Sequence, residues 1–228
     1  MTLAQLRHDA LRVYQTPGTF ANWPELLKGL AARRVGRGST ELTFRTKAGP
    51  LLSCPNVPGA RLAVYEQYAD DCYRLREFLA PFATQPLSVL DVGAHIGAFA
   101  THIAMLFSQA RIDCYEPSPE SARYLRQNLD QNGLGEQITV HEIALADTEG
   151  LARLDDNDGG SVHNGLVRGE GRMVAGQDAL DDRHTLEVRT TTFDRAAAAA
   201  AAPPQLVQMD CEGGESPFVY ASSPPNSA

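Results

Sequence analysis

The segment 91–97 constrains this chain most, because it places two glycines between an apolar run and a helical stretch. The run 88–93 has the pattern of a strand, and residues 98–107 have that of a helix. Gly93 can take a turn and let the backbone approach a ligand, and Gly97 lets the helix pack close to the strand. The first amides of such a helix bind an anion, either a carboxylate or a phosphate. The segment therefore predicts a ligand site between a strand and a helix.

Two acidic residues accompany this segment. Asp91, at the end of the strand, suits a ligand with an ammonium group and would repel a pyrophosphate, so it favours an amino acid-like ligand. Glu116 ends the next apolar run and follows Gly97 at about the 20-residue distance at which an acidic residue meets ribose hydroxyls in dinucleotide folds. A tight turn and a solvated strand-end acid would explain each feature alone. Their combination favours a ligand site over these simpler explanations.

From residue 87 onward, short apolar runs alternate with helical stretches, a pattern typical of a parallel sheet with crossover helices. Ser118, Pro119 and Gly133 stand where the N-cap, the first turn and the C-terminal exit of a helix would be. We therefore expect an α/β, Rossmann-like fold with a mostly parallel sheet. The predicted strands are 88–93, 112–116, 138–144, 186–193 and 206–210, and the predicted helices are 98–107, 119–132 and 196–202.

The residues before this core predict a smaller unit of helices and one hairpin. Asn22 and Pro24 stand at the start of a helix, as an N-cap and an early-turn residue. We expect an appendage at 1–84, the core at 85–215 and a disordered tail at 216–228, which is rich in Ser, Pro and Asn. In the appendage the predicted elements are helices over 3–14 and 65–82, the helix that begins near Asn22, and strands over 41–45 and 50–53.

Composition narrows the class of function. The chain has 20 Lys and Arg against 28 Asp and Glu, a formal charge of −8, which disfavours nucleic acid as a partner. No apolar run approaches the roughly 20 residues that span a bilayer, and the start lacks a signal-peptide pattern, so we expect a soluble, cytoplasmic protein without a membrane partner. The four cysteines are far apart and form no CxxC pair. They are expected to be free thiols.

Several segments together resemble the FkbM-type methyltransferases, within the class I S-adenosylmethionine-dependent group. The resemblance covers about residues 89–215 and says little about the part before it. The matching segments are VLDVGAHIG at 89–97, YEP at 115–117, 125–132 followed by Gly-Leu, ALAD at 144–147 with Gly150, 190–194, and QMDCEGGE at 208–215.

The resemblance implies a cofactor, S-adenosylmethionine, that lies across the carboxyl ends of the first two core strands. In such an arrangement the segment Gly93, Ala94, His95 and Gly97 would hold the methionine part. Asp91 would face its ammonium group and Glu116 would bind the ribose. Asp147 would reach the adenine amino group, although a solvated loop aspartate is an equally good interpretation. Asp210 would lie beside the methionine part and the acceptor.

The same resemblance implies O-methylation of a hydroxyl on a small molecule, sugar or natural product. An alcohol needs a base for its proton, and the candidate catalytic residues are Asp210 first, then Glu212 and His95, with His163 as a weaker candidate. Asp210, Glu212 and Glu215 could also hold a hard cation, but we expect no metal. The aromatic side chains of Phe20, Trp23, Tyr65 and Tyr68 fit either an acceptor pocket or the core of the appendage.

One departure from the family and two alternatives remain. Only the short segment 211–228 follows Asp210, less than the roughly 30 residues of a βαβ unit, so the sheet is expected to be truncated after its fourth core strand. An exposed sheet edge could then pair with a second copy of the chain. One alternative is a binding protein that keeps the cofactor pocket without turnover. The other is a nicotinamide-dependent oxidoreductase, which requires a different glycine spacing.

Overall fold

The computed structural model describes residues 3–155, 166–167 and 185–210, and its first part consists of helices and a hairpin. Asn22 stands at the predicted N-cap position, but its side chain accepts the Arg45 N–H and donates to the Thr43 carbonyl. It therefore ties the second helix to the hairpin instead of capping. The elements are α1 (Leu3–Thr19), α2 (Trp23–Arg34), β1 (Glu41–Arg45), antiparallel β2 (Leu51–Pro55) and α3 (Pro58–Tyr65).

The prediction of one helix over 65–82 is wrong. One π-helical turn (Glu66–Asp70) continues α3, and the helix then ends because Asp71 and Arg74 take left-handed backbone angles, with φ of 47° and 45°. A short helix α4 (Leu75–Phe78) and a 3₁₀ turn (Ala80–Phe82) follow. The spacing of apolar residues still placed Leu75 and Leu79 on a common face, and both side chains are buried against the sheet.

A four-stranded parallel sheet forms the core, with its strands in the spatial order 206–209, 87–92, 110–115 and 138–141, and it confirms the predicted α/β, Rossmann-like fold. Ser118 caps the second core helix by accepting the Ser121 N–H, and Gly133 ends it with φ of 67°. The elements in chain order are β3 (Leu87–Val92), α5 (Ala98–Leu106), β4 (Ala110–Tyr115), α6 (Pro119–Asn132), β5 (Ile138–His141) and, after the elements of a second sheet, β10 (Leu206–Met209).

The second sheet has its strands in the spatial order 144–145, 185–191, 150–155 and 166–167. The sequence did not predict that these strands form a sheet separate from the first. The run 138–144 was expected to be one strand, but β5 ends at His141 and the next residues pair elsewhere. The helix expected at 196–202 begins earlier, because Thr192 accepts the Arg195 N–H as an N-cap. The elements are β6 (Ala144–Leu145), β7 (Gly150–Asp155), β8 (Leu166–Val167), β9 (Thr185–Thr191) and α7 (Phe193–Ala199).

The core of the N-terminal part continues into the glycine segment. Phe20, Phe44 and Tyr65 pack edge to face, with ring centroids 5.0 to 5.8 Å apart. The side chain of Ile96, from the glycine segment, is fully buried in the same cluster. The division into 1–84 and 85–215 stays a prediction, and the two parts share this apolar cluster.

Three smaller expectations concern the cysteines, the sheet edge and the membrane. Cys54 and Cys114 are buried free thiols and Cys72 is an exposed one, whereas Cys211 lies outside the described residues. β10 lies at one edge of the parallel sheet within the described part, and pairing with a second copy there stays a prediction. Within the described ranges, no helix combines the length and apolar character needed to cross a membrane.

Candidate functional site

Asp91 lies on the face of the parallel sheet that α5 and α6 cover. It pairs in register with Gln208 on one side and with Cys114 on the other. Side chains on neighbouring parallel strands at the same register point to the same face. The Cys114 Sγ donates to Asp91 Oδ2 at 3.8 Å, which confirms that both point to this face. The row Gln208, Asp91 and Cys114 is therefore the last full row of side chains beneath the strand ends.

The next row on this face holds Asp210, Gly93 and Glu116, each one residue past the end of its strand. The ladder continues into this row, because the Asp210 N–H donates to the Val92 carbonyl at 3.0 Å and the Gly93 N–H donates to the Tyr115 carbonyl at 2.9 Å. With strands about 4.8 Å apart, the two acidic residues flank the glycine across roughly 10 Å. The row therefore has a glycine in the middle and an acidic residue on each side.

The glycine segment turns through three positive φ angles, 78° at Gly93, 53° at His95 and 76° at Gly97. A Cβ at Gly97 would overlap the Leu125 Cδ1 atom of α6, and the φ of 76° also favours glycine at this position. His95 is not a glycine and holds its positive φ at a cost of about 1–3 kcal/mol. Such a conformation persists only where the surroundings fix it.

Glu116 fixes the segment from the neighbouring strand. Its side chain is 7 % exposed, and Oε2 accepts the His95 N–H at 2.7 Å while Oε1 accepts the Ser118 N–H at 2.9 Å. Both contacts are hydrogen bonds from backbone amides to a carboxylate, which are stronger than neutral ones. One acidic side chain therefore orients the ligand segment and the start of α6 together.

Asp91 is 1 % exposed, and its pKa is raised to about 7 by burial first, and then by the negative charges of Glu116 and Asp210. A buried carboxyl group between two other acids is stabilised in its ionised form by a cation. An ammonium group bound beside Asp91 would supply that cation. The electrostatics around Asp91 therefore fit the amino acid-like ligand that the sequence indicates.

His95 is a neutral imidazole at pH 7. Burial lowers its pKa to about 4, and its Nε2 atom is buried without a hydrogen-bond partner among the described residues. A group with so low a pKa binds a proton weakly, so His95 is a poor base at neutral pH.

Tyr73 is a residue near this site that the sequence did not single out. Gln208 Nε2 donates to its phenol oxygen at 3.1 Å, and its ring packs edge to face on Phe99, with centroids 5.8 Å apart. The side chain is 40 % exposed, and its pKa is raised, first by burial and also by the charge of Asp210. The break in the helix between Asp71 and Arg74 brings Tyr73 to this position. A helical spacing pattern in the sequence therefore could not have indicated it.

The aromatic residues that could have lined an acceptor pocket lie elsewhere. Phe20 and Tyr65 are buried in the N-terminal cluster, and the Tyr65 hydroxyl hydrogen-bonds with that of Thr16 at 2.6 Å. Tyr68 stacks on His102, and Trp23 begins α2. Packing in the N-terminal cluster accounts for Phe20 and Tyr65, whereas Tyr68 contacts α5 and Trp23 is exposed.

The other predicted site residues lie on the second sheet or outside the described part. Asp147 is exposed on the turn between β6 and β7 of the second sheet, although its neighbour Ala146 packs against the cluster that contains Val92 and Tyr115. Glu212, Glu215 and His163 lie outside the described residues. Within the described ranges, no group of three His, Cys, Asp or Glu side chains could hold a metal ion.

Comparison with known families decides between the interpretations of this site. The sequence model of the methyltransferase FkbM domain matches residues 91–221, more than half of the chain. The chain belongs to the FkbM methyltransferase family. Membership confirms the resemblance in the sequence and, with it, S-adenosylmethionine as the cofactor. It leaves the nicotinamide-dependent alternative without support.

The solved structures similar to this FkbM-family chain share only part of it. A putative transferase from Pyrococcus horikoshii is 18 % identical over 53 % of this chain and 50 % of its own, with a TM-score of 0.37. A SAM-dependent methyltransferase from Agrobacterium tumefaciens is 13 % identical over 46 % and 32 %, with a TM-score of 0.36. P. horikoshii TYW2, solved in complex with MeSAdo, is 17 % identical over 50 % and 46 %, with a TM-score of 0.35.

The chain covers at most half of the length of these three solved proteins. None of the curated proteins matches it.

Proposed function

We propose that this chain transfers a methyl group from S-adenosylmethionine to a hydroxyl oxygen of a small molecule, sugar or natural product. One observation carries the proposal, namely the row in which Gly93 stands between the carboxylates of Asp210 and Glu116 at the carboxyl edge of the sheet. Ligands of open α/β sheets bind at this edge. Family membership makes the ligand S-adenosylmethionine.

The residues of this row and of the row beneath it, which contains Asp91, fit this cofactor. Asp91, buried and with a raised pKa, would pair with the ammonium group, and Glu116 would bind the ribose hydroxyls. The segment from Gly93 through Ala94 and His95 to Gly97 would hold the methionine part. Asp147, which lies on the second sheet, would bind the adenine amino group. When bound, the cofactor supplies a sulfonium methyl group that is already activated for attack.

The remaining work for the chain is to orient the acceptor and to take its proton. Asp210 follows β10, on the other side of Gly93 from Glu116, and it is exposed. We assign it the role of base. It would accept the proton that the acceptor hydroxyl loses on methylation, while the bound cofactor would supply the methyl group and keep its sulfur as a neutral thioether. His95, with a pKa near 4, is the weaker candidate, and Glu212 remains an alternative base.

Calorimetric titration with S-adenosylmethionine, beside NAD, tests the cofactor half of the proposal. We expect saturable binding of S-adenosylmethionine alone, lost in the double variant Asp91→Ala, Glu116→Ala. The matched control is Asp130→Ala, which removes an exposed acid near the opposite end of α6. Binding that survives the double variant would place the cofactor elsewhere.

Methyl-labelled S-adenosylmethionine with a panel of phenols, alcohols and sugars tests the acceptor half. We expect label in at least one hydroxylated compound and its loss in Asp210→Asn, with cofactor binding retained. Cofactor binding without transfer to any member of the panel would favour the alternative, a binding protein without turnover.

A further inference from the structure

Helix α6 presents a row of amide side chains to the open edge of strand β2. Asn128 Oδ1 accepts the Ser53 N–H at 2.7 Å, and Asn128 Nδ2 donates to the Ser53 carbonyl at 3.0 Å. One turn later, Asn132 repeats the pattern with the N–H and carbonyl of Leu51, at 2.9 and 2.7 Å. These side chains satisfy backbone groups of β2 as a neighbouring strand would. The helix thereby fixes the hairpin β1–β2 to the core.

Asn128 differs from Asn132 in two contacts: its Oδ1 also accepts from Gln131 Nε2 at 2.6 Å, and its Nδ2 reaches the glycine segment. Its Nδ2 also donates to the Ile96 carbonyl at 2.8 Å, within the glycine segment, and the whole side chain is fully buried. Asn132 donates instead to the Asn128 carbonyl of its own helix. One buried amide thus joins the hairpin, α6 and the segment that would hold the methionine part.

The glycine segment is held from the same side at two adjacent residues. The Ile96 side chain is buried in the N-terminal cluster, with Phe44 and Leu52 of the hairpin among its members. Gly97 packs directly against Leu125, one turn before Asn128 on α6. The hairpin and α6 therefore support the segment behind the surface that faces a ligand.

We propose that Asn128 is a positioning residue of the cofactor site. It holds the Ile96 carbonyl, and so the conformation of the segment 93–97, and it connects this segment to the docked hairpin. Asn128 acts through Ile96 and does not touch the cofactor. This inference rests on the proposed function, since it concerns the affinity of the same site for S-adenosylmethionine.

The test compares Asn128→Ala with Asn132→Ala by calorimetric titration with S-adenosylmethionine, at a temperature at which both variants are folded. Both substitutions remove hydrogen bonds to β2 and are expected to lower the melting temperature. Only Asn128→Ala releases Ile96, so we expect its affinity to fall about tenfold or more, against less than twofold for Asn132→Ala. A purely structural role of Asn128 would lower the melting temperature and leave the affinity unchanged, which would overturn the inference.

Hydrogen exchange on the wild-type chain decides the question if Asn128→Ala does not fold. Saturation with S-adenosylhomocysteine should slow exchange at the Ser53 amide, which donates to Asn128, as well as within 93–97. Slower exchange in the glycine segment with no change in β2 would overturn the inference alone. If the wild-type chain bound neither compound, the proposed function would fail and this inference with it.

Discussion

Glu116 accepts the backbone N–H of His95 at 2.7 Å, so the acid expected to bind the ribose also holds the ligand segment in place. Its other oxygen accepts the Ser118 N–H at the start of α6. The same side chain therefore contributes to the fold and to the cofactor site. Its removal should affect both.

We expect Glu116→Ala to lower the free energy of unfolding by about 2–3 kcal/mol, because two amides lose a charged acceptor in a nearly buried position. Affinity for S-adenosylmethionine should fall in the same variant, since His95 and its neighbours lose their anchor. Urea unfolding and calorimetric titration measure the two effects. Asp130→Ala, an exposed acid on α6, should change neither. A stable Glu116→Ala chain with wild-type affinity would contradict both roles.

Gly97→Ala should destabilise the chain by about 2 kcal/mol or more. The added methyl group would overlap Leu125 Cδ1, and the backbone at this residue has φ of 76°, where alanine is strained. Gly135→Ala is the matched control, because nothing lies within 4 Å of its added Cβ and its φ is not positive. Thermal unfolding of the two variants should show a clear loss for the first and little change for the second. Equal melting temperatures would mean that α6 moves away from the segment at no cost.

Local signals predicted α6 with its observed bounds. Ser118, Pro119 and Gly133 act within one turn of each helix end, so the sequence carries the information directly. Three core strands were predicted to end within one residue of their observed ends, and the rule that parallel strands end at one edge brings Asp91, Glu116 and Asp210 to the same edge of the sheet. Such features need no knowledge of distant residues.

Other features depend on contacts between distant residues. The helix over 65–82 breaks where Asp70 pairs with Arg12 and where Tyr73 reaches Phe99 and Gln208, and no local pattern encodes these partners. The division of 138–144 into two strands depends likewise on pairing with β9. Asn128 lay within a matching segment of the sequence, but its contact with Ile96 became evident only from the structure.

The pH dependence of stability should differ between the wild-type chain and Asp91→Asn. The pKa of Asp91 is raised to about 7, so the folded chain holds this proton more tightly than the unfolded chain. Its contribution to the unfolding free energy is full below about pH 4 and is lost as the pH rises to about 7. Asp91→Asn should therefore gain on the order of 2–4 kcal/mol relative to wild type between pH 4 and 7, and no more above pH 7.

The contribution of His95 to the unfolding free energy changes with pH in the opposite direction. The wild-type chain must therefore be compared with a variant. Burial lowers its pKa to about 4, so its contribution is full above about pH 6.5 and is lost as the pH falls to 4. The two groups oppose each other in the wild-type chain, and the difference from Asp91→Asn isolates the acid. Urea unfolding at several pH values measures this difference. A constant difference across the range would show that Asp91 is ionised throughout.

The affinity for S-adenosylmethionine should also depend on the ionisation of Asp91. An ammonium group beside Asp91 favours the charged carboxylate, so binding should strengthen as the pH rises towards 7 and release a proton below it. Above about pH 8 the ligand's amino group loses its own proton, and binding should weaken again. Asp91→Asn should bind more weakly and lack the increase below pH 7. Calorimetric titration in buffers of different ionisation enthalpy counts the protons released.

Tyr73→Phe should separate acceptor binding from cofactor binding. The variant keeps the ring on Phe99 but loses the oxygen to which Gln208 donates, on the Asp210 side of the row. We expect unchanged affinity for S-adenosylmethionine, since its contacts are assigned to the segment 93–97 and Glu116. The kcat/KM for whichever phenol, alcohol or sugar of the panel accepts the label should fall about tenfold, as expected for the loss of one hydrogen bond near the reacting oxygen. Trp23→Phe, far along the chain at the start of α2, is the control. A loss of cofactor affinity in Tyr73→Phe would instead place Tyr73 on the cofactor side of the site.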